Sequence, residues 1–245
     1  MAKARITAVL ADIAAERGAV TRNRVVGALS VVLNWATGEG FIERVATIGI
    51  RALKEESRER VLSLEELRRV WGAAGELGGP GAVVRLLMLT GQRKSEVAEL
   101  EWREVDLNAA TITLPPARVK NGRAHVVPLP CQAVAILEAQ EHRDSGRVFA
   151  RQAWDRVKAR VDDTVHLAEP WVFHDLRRSA VTHMCELGIA PHVVEAVVNH
   201  VSGHKAGVAG VYNKATYAAE KRAALQAWAD HLLEVAPAKV VPLRR

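Results

Sequence analysis

Apolar positions recur at helical spacing along most of the chain. Ile6, Val9, Leu10 and Ile13 fall at i, i+3, i+4 and i+7, and Gly18 interrupts the series. Thr21 can cap a second helix with Val25, Leu29, Val32, Leu33 and Ala36 on one face, ended by Gly38 and Gly40, and Phe41-Ile42 is expected to pack back on the pair. The pattern then gives way to the charged stretch RALKEESRER from Arg51 to Arg60, read as an exposed linker. Ser63-Leu64-Glu65-Glu66 fits a capping box, with Leu64, Leu67, Val70 and Trp71 on the apolar face of the helix it starts. Pro80 opens another helix, through Val83, Val84, Leu86, Leu87 and Leu89 to Thr90-Gly91.

The period changes between residues 111 and 129. Thr111-Ile112-Thr113-Leu114 predicts a short strand, Asn121-Gly122 a hairpin turn and Ala124 to Leu129 the return strand. Helical spacing resumes over Gln132 to Glu141, Gln152 to Val161, Asp175 to Leu187 (closed by Gly188), Pro191 to about Asn199 and Ala218 to Leu233. The expected fold is mainly α with one small antiparallel sheet, an α+β protein in two parts. A partial helical domain covers residues 1–57, a larger domain 58–235, and a loose basic tail 236–245.

At 245 residues and 49% hydrophobic content, the chain has ample material for a core. Lys and Arg number 34 against 28 Asp and Glu, and the pI is about 9.6, a balance that favours a polyanionic partner. Cys131 and Cys185 are too few for a disulfide framework and read as reduced thiols of a cytoplasmic protein. Asp12 and Glu16 break the first apolar run, so neither a signal peptide nor a membrane span is expected.

The candidate chemistry is an ordered series of polar groups. Arg93 sits in the break between two helices, with Glu96 near enough to orient it; alone, it reads as a surface arginine with an i+3 carboxylate. Lys120 lies beside the Asn121-Gly122 turn with Arg118, Arg123 and His125 nearby, a basic hairpin that could enter a DNA groove or simply be solvated. His174 and Arg177 share one face at the opening of a helix whose first amides add to an anion field, while Arg178 points elsewhere. His200 ends an apolar run, and a capping role is its plain alternative. With His204 it mimics a zinc pair, but no third ligand or HExxH is evident, so no metal site is expected. Of the two tyrosines, Tyr217 reads as a half-buried aromatic, and Tyr212 is either that or a nucleophile. Two guanidiniums, an ammonium and two imidazoles could together hold a phosphate diester for attack by a phenol.

In this order the pieces resemble the tyrosine recombinase (phage integrase) family, in its prophage and genomic-island branch. The matching segments are TGQRKSE with Arg93, VKNGRAHVVPL with Lys120, HDLRRSAVTH with His174 and Arg177, and VVNHVSGHKAGVAGVY with His200 and Tyr212, together spanning about residues 60–235. The resemblance implies site-specific recombination of double-stranded DNA through a 3′-phosphotyrosyl intermediate, without cofactor or metal, by a homo-oligomer such as a tetramer on paired sites. Arg93 and Arg177 would hold the nonbridging oxygens, His174 would serve as base, Lys120 would protonate the leaving 5′ oxygen and His200 would donate to the phosphate. Tyr212 would attack. Arg118, Arg123 and Arg178 are candidate DNA contacts.

The chain departs from the family pattern in three places. Val198-Asn199-His200 stands where Leu-Gly-His is usual, so that Asn199 replaces a glycine while the histidine remains; the spacing from His200 to Tyr212 is longer than in many members; and residues 1–57 supply only part of a helical core-binding domain. The last departure suggests a truncated integrase. It keeps open a recombination-inactive DNA-binding remnant, and the shared phosphotyrosine chemistry keeps open a type IB topoisomerase-like activity.

Overall fold

A computed structural model of the chain describes residues 3–56, 59–141, 146–200 and 215–234. It divides into two compact units between Glu59 and Arg60.

The first unit is built on α1 (Lys3–Gly38), a pair of helices meeting at Gly18, whose φ of 79° and ψ of 171° break the helical run. Only a residue without Cβ takes that conformation at little cost. Arg22 closes the unit by donating to Arg51 O at 2.7 Å, and Asn23 Nδ2 reaches Leu53 O at 2.8 Å. Trp35 and Phe41 meet at 5.6 Å between ring centroids, which is the expected return of Phe41. Val32, expected on the inward face, is 58% exposed, and Val31 and Trp35 are exposed with it.

The second unit holds the main core. Its helices are α2 (Leu64–Gly75), α3 (Gly79–Thr90), α4 (Lys94–Ala98), α5 (Cys131–Glu138), α6 (Trp154–Val165), α7 (Phe173–Glu186), α8 (Pro191–Val197) and α9 (Ala218–Leu233). The capping box at Ser63 is present: Ser63 Oγ accepts from Glu66 N and Glu66 accepts from Ser63 N at 2.9 Å. Helix α3 is buried on nearly every side, with Val83, Val84, Leu86, Met88 and Leu89 without solvent contact. It is the post around which α2, α5, α7 and α9 pack.

Three antiparallel strands, β1 (Val105–Asp106), β2 (Thr111–Leu114) and β3 (His125–Pro128), lie in the order β1-β2-β3. The two-residue pairing of β1 was too short to leave a periodic signal. Asn121-Gly122 does not close a tight hairpin either. Leu114 pairs with His125, so residues 115–124 form a long connection, with the turn at Gly122 (φ 66°) deep inside it. The strand stops at Leu114 because Pro115 and Pro116 have no amide hydrogen to offer a ladder.

Helix α9 is fastened to its own unit. Ala224, Leu225, Trp228, Ala229 and Leu232 are buried, Trp228 Nε1 donates to Met88 O at 2.8 Å, and Lys221 Nζ donates to Val126 O at 2.6 Å. The Trp228 ring also stacks on His183, at 5.7 Å and 6°. Truncating a fully enclosed indole leaves a large cavity and an unpaired carbonyl on α3. Trp228→Ala should therefore lower unfolding free energy by about 3–5 kcal/mol in urea titrations, with α9 detaching first in hydrogen exchange.

Candidate functional site

The site is organised where α3 and α8 end. The last carbonyls of a helix have no partner inside it and carry the negative end of its dipole. At the end of α3, Gly91 adopts a left-handed conformation (φ 64°), and its carbonyl accepts from Arg177 Nη1 at 2.9 Å. Arg177 Nη2 reaches Val198 O, just past α8, at 2.6 Å. One guanidinium thus ties two helix ends. Arg177 is 7% exposed, and burial together with the nearby Arg93 pulls its pKa down to about 10, against the opposing pull of Glu96. It stays protonated at neutral pH.

The carbonyl before it, Val197 O, takes two donors. Gln92 Nε2 lies at 2.9 Å and His125 Nε2 at 3.0 Å. Since that contact is with an acceptor, neutral His125 carries its proton on Nε2. Burial, with the Lys221 cation adding to it, pushes the His125 pKa down to about 4, although the Val197 bond pulls the other way. His125 was expected to add to the basic character of the hairpin. It is instead a neutral, buried strut.

Arg93 sits in extended backbone ahead of α4 and is half-buried. Glu96, 2% exposed, orients it as expected: one carboxylate oxygen accepts from Arg93 N at 2.9 Å and the other from Nη1 at 2.8 Å. The long connection that bears Lys120 is anchored on the same helix by Arg118, which is ion-paired to buried Glu104 and donates to Ser95 O at 3.2 Å and Glu96 O at 2.9 Å. Arg118 was read as a DNA contact, but its guanidinium is committed to the protein. Lys120 and Arg123 are the exposed cations of the connection, and among the described residues no hydrogen bond or ion pair holds Lys120 Nζ.

His174 and Arg177 lie on the first turns of α7 as the HxxR spacing requires. Burial and the adjacent Arg177 and Arg178 hold the His174 pKa below the ordinary imidazole value. Buried Asp175 accepts from Val172 N at 2.9 Å and from Arg178 Nη1 at 2.8 Å. Arg178 was expected to point away, yet it borders the same cleft as the others. That cleft, about 570 Å³, is lined by Arg93, Lys120, His174, Arg177, Arg178 and His200, with Glu195 beside them and Val181, Cys185 and Val194 among the less polar lining. A second opening of about 330 Å³ meets Arg93, His174 and Arg177 beside Lys94 and Lys158. Tyr212, His204 and the basic tail lie outside the described residues. Among the described residues no cluster of three His, Cys, Asp or Glu side chains could hold a metal ion, and no helix is long and apolar enough to cross a membrane.

Among the described residues, six basic side chains thus border one cleft, with Glu195 among its lining. The chain belongs to the phage integrase family, which it matches over residues 80–218. It is 32% identical to the prophage integrase IntA of Escherichia coli over 231 residues, 87% of this chain and 55% of that protein. It is 34% identical to the prophage integrase IntZ of the same organism over 60% of this chain and 38% of that protein. The chain therefore spans about half the length of these relatives or less. Among solved structures, the lambda integrase dimer bound to a core site superposes with a TM-score of 0.66 at 20% identity, covering 82% of this chain and 80% of that one. The lambda integrase tetramer bound to a Holliday junction gives 0.67 at 21% identity, over 82% and 65%.

The residues that sequence reasoning passed over are the ones that position the others: Gln92, Asn121 and Asp175. Asn121 Nδ2 donates to Asn199 O at 3.2 Å and to Asn199 Oδ1 at 3.0 Å. Asn199, where a glycine is usual, has φ of 48°, a conformation that asparagine tolerates better than other side chains. That substitution was the one visible signal of the link.

Folding holds His125 neutral, so stability is complete above its unfolded pKa near 6.5. It is lost as pH falls from there toward about 4, by on the order of 3 kcal/mol. Urea unfolding between pH 7 and 4 should show this slope, and His125→Gln should flatten it.

Proposed function

We propose that this chain is a tyrosine-type site-specific DNA recombinase that acts on double-stranded DNA in the cytoplasm. The observation that carries the reading is that Arg93, Lys120, His174, Arg177 and His200, far apart in sequence, border one cleft. Residues 58–235 would be the catalytic domain and 1–57 would belong to a core-binding domain. Paired copies on two sites, up to a tetramer, would bring the exchanging strands together.

The chemistry follows from the groups. Arg93 and Arg177 each keep N–H donors beyond those spent on protein and would bind the two nonbridging oxygens, where charge builds up in the transition state. His200, exposed at the mouth, would donate to the same phosphate. Tyr212 would form the new bond to phosphorus as its phenolic proton passes to His174, whose pKa burial and the neighbouring cations hold down, which favours the neutral imidazole that can accept it. As the bond to the 5′ oxygen breaks, its electron pair would take a proton from Lys120, giving a 5′ hydroxyl and a neutral amine. The phosphotyrosyl ester retains the bond energy, and attack by another 5′ hydroxyl would reverse the steps on a new partner. Arg123 and Arg178 are suited to the flanking phosphates. The clustered cations supply the charge that divalent ions supply in other phosphoryl-transfer sites.

A randomised library of nicked duplexes should yield a covalent protein–DNA adduct in the presence of EDTA, and Tyr212→Phe should yield none. Binding without an adduct from any duplex would mean a DNA-binding protein, and relaxation of supercoils without strand exchange a topoisomerase. The pH profile of kcat/KM for adduct formation reports the free protein. Because the His174 pKa is depressed, its acid limb should fall below the ordinary histidine value of about 6.5. A limb above that value would remove His174 as the base.

A further inference from the structure

We infer that Asn121 and Asn199 are positioning residues that form a clasp holding Lys120 over the scissile phosphate. The inference rests on the reading of Lys120 as the proton donor.

Val119, 5% exposed, and the buried His125 fix the two ends of the Lys120 segment. Between them Lys120, Gly122, Arg123 and Ala124 are exposed, and only Asn121 is half-buried. Gly122 N donates within the turn, to Val119 O, and Arg123 N donates to Asn121 Oδ1 at 3.1 Å. Among the described residues, the hydrogen bonds from the tip to the rest of the protein come from the Asn121 amide alone. They end on Asn199, 78 positions away, at 3.2 Å to the backbone carbonyl and 3.0 Å to the side chain, with Asn199 Nδ2 returning toward Asn121 Oδ1 at 3.5 Å. Asn199 follows Val198, whose carbonyl holds Arg177, and precedes His200. One amide pair therefore joins the residue after the ammonium to the segment that carries the phosphate-binding groups.

A lysine side chain has four rotatable bonds and a strongly hydrated head, so it finds one oxygen reliably only if its backbone is held. Gly122, at φ 66°, leaves the tip free to hinge. The clasp opposes that freedom. At position 199 a glycine would keep the left-handed backbone and the carbonyl acceptor but lose the side-chain half of the pair.

The effect on proton donation separates from a general effect on folding by changing the leaving group. A duplex with sulfur in place of the bridging 5′ oxygen releases a thiolate, which departs without a proton donor. The test uses the full chain on the captured duplex, in oxygen and sulfur forms. Asn121→Ala should slow adduct formation on the oxygen duplex about tenfold, the weight of one well-placed hydrogen-bonded contact, and recover on the sulfur duplex. Asn199→Gly should show a smaller loss with the same recovery, because the carbonyl acceptor remains. The double variant should be no slower than Asn121→Ala. Wild-type rates on the oxygen duplex, or equal losses on both duplexes, would overturn the clasp. Lys120→Ala is the control: recovery on sulfur supports the proton donor, and no recovery overturns that reading and the clasp with it. Recovery of Lys120→Ala without recovery of Asn121→Ala would overturn the clasp alone.

Discussion

Three consecutive carbonyls at the end of α8 need donors, and the site is built from the side chains that supply them. Val197 O receives Gln92 and His125, Val198 O receives Arg177, and Asn199 O receives Asn121. The donors come from the end of α3, the start of β3, the start of α7 and the tip of the long connection. A backbone rule, that helix-end acceptors are not left bare, thus becomes the device that gathers remote segments into one place. Arg177 shows how a single group serves both ends. Its charge is tolerated in a nearly dry position because two helix termini accept from it, and the same residue lines the cleft.

Rigid placement matters because the proposed reaction is electrostatic. Arg93 stands close enough to help lower the Arg177 pKa, and an anion between the two guanidiniums would remove their repulsion. The buried Glu96 keeps Arg93 aimed without cancelling the field at the cleft, since its carboxylate is spent on the Arg93 backbone amide and one nitrogen. Glu104 does the same for Arg118 one layer behind. Glu96 and Glu104 are each paired with an arginine, and among the described residues lining the larger cleft Glu195 is the one carboxylate beside six basic side chains.

Much of this was legible in the sequence. The helices of the second unit, the capping box at Ser63, the break carrying Arg93 and the placement of His174 with Arg177 on one helical face follow from period, caps and glycines. What escaped has physical reasons. β1 is shorter than any periodic pattern, and Asn121-Gly122 was taken as a tight turn although two prolines end the strand early. Arg118, His125 and Arg178 could not be assigned from local sequence because their roles are set by partners far along the chain: Glu104, Val197 and, for Arg178, the cleft it borders. Val32 was read as inward because spacing alone identifies an apolar face and says nothing of what covers it. Tyr212, the proposed nucleophile, lies outside the described residues, so its part rests on the order of the motifs.

Position 199 narrows the choices open to this lineage. A left-handed backbone there admits glycine freely and asparagine or aspartate at modest strain. Aspartate would bring a carboxylate next to the proposed phosphate site, and glycine would offer only its main chain. Asparagine alone combines the permitted bend, a neutral head and a second bonding arm, so drift at this codon should be confined to exchange with glycine unless the residue facing it changes as well.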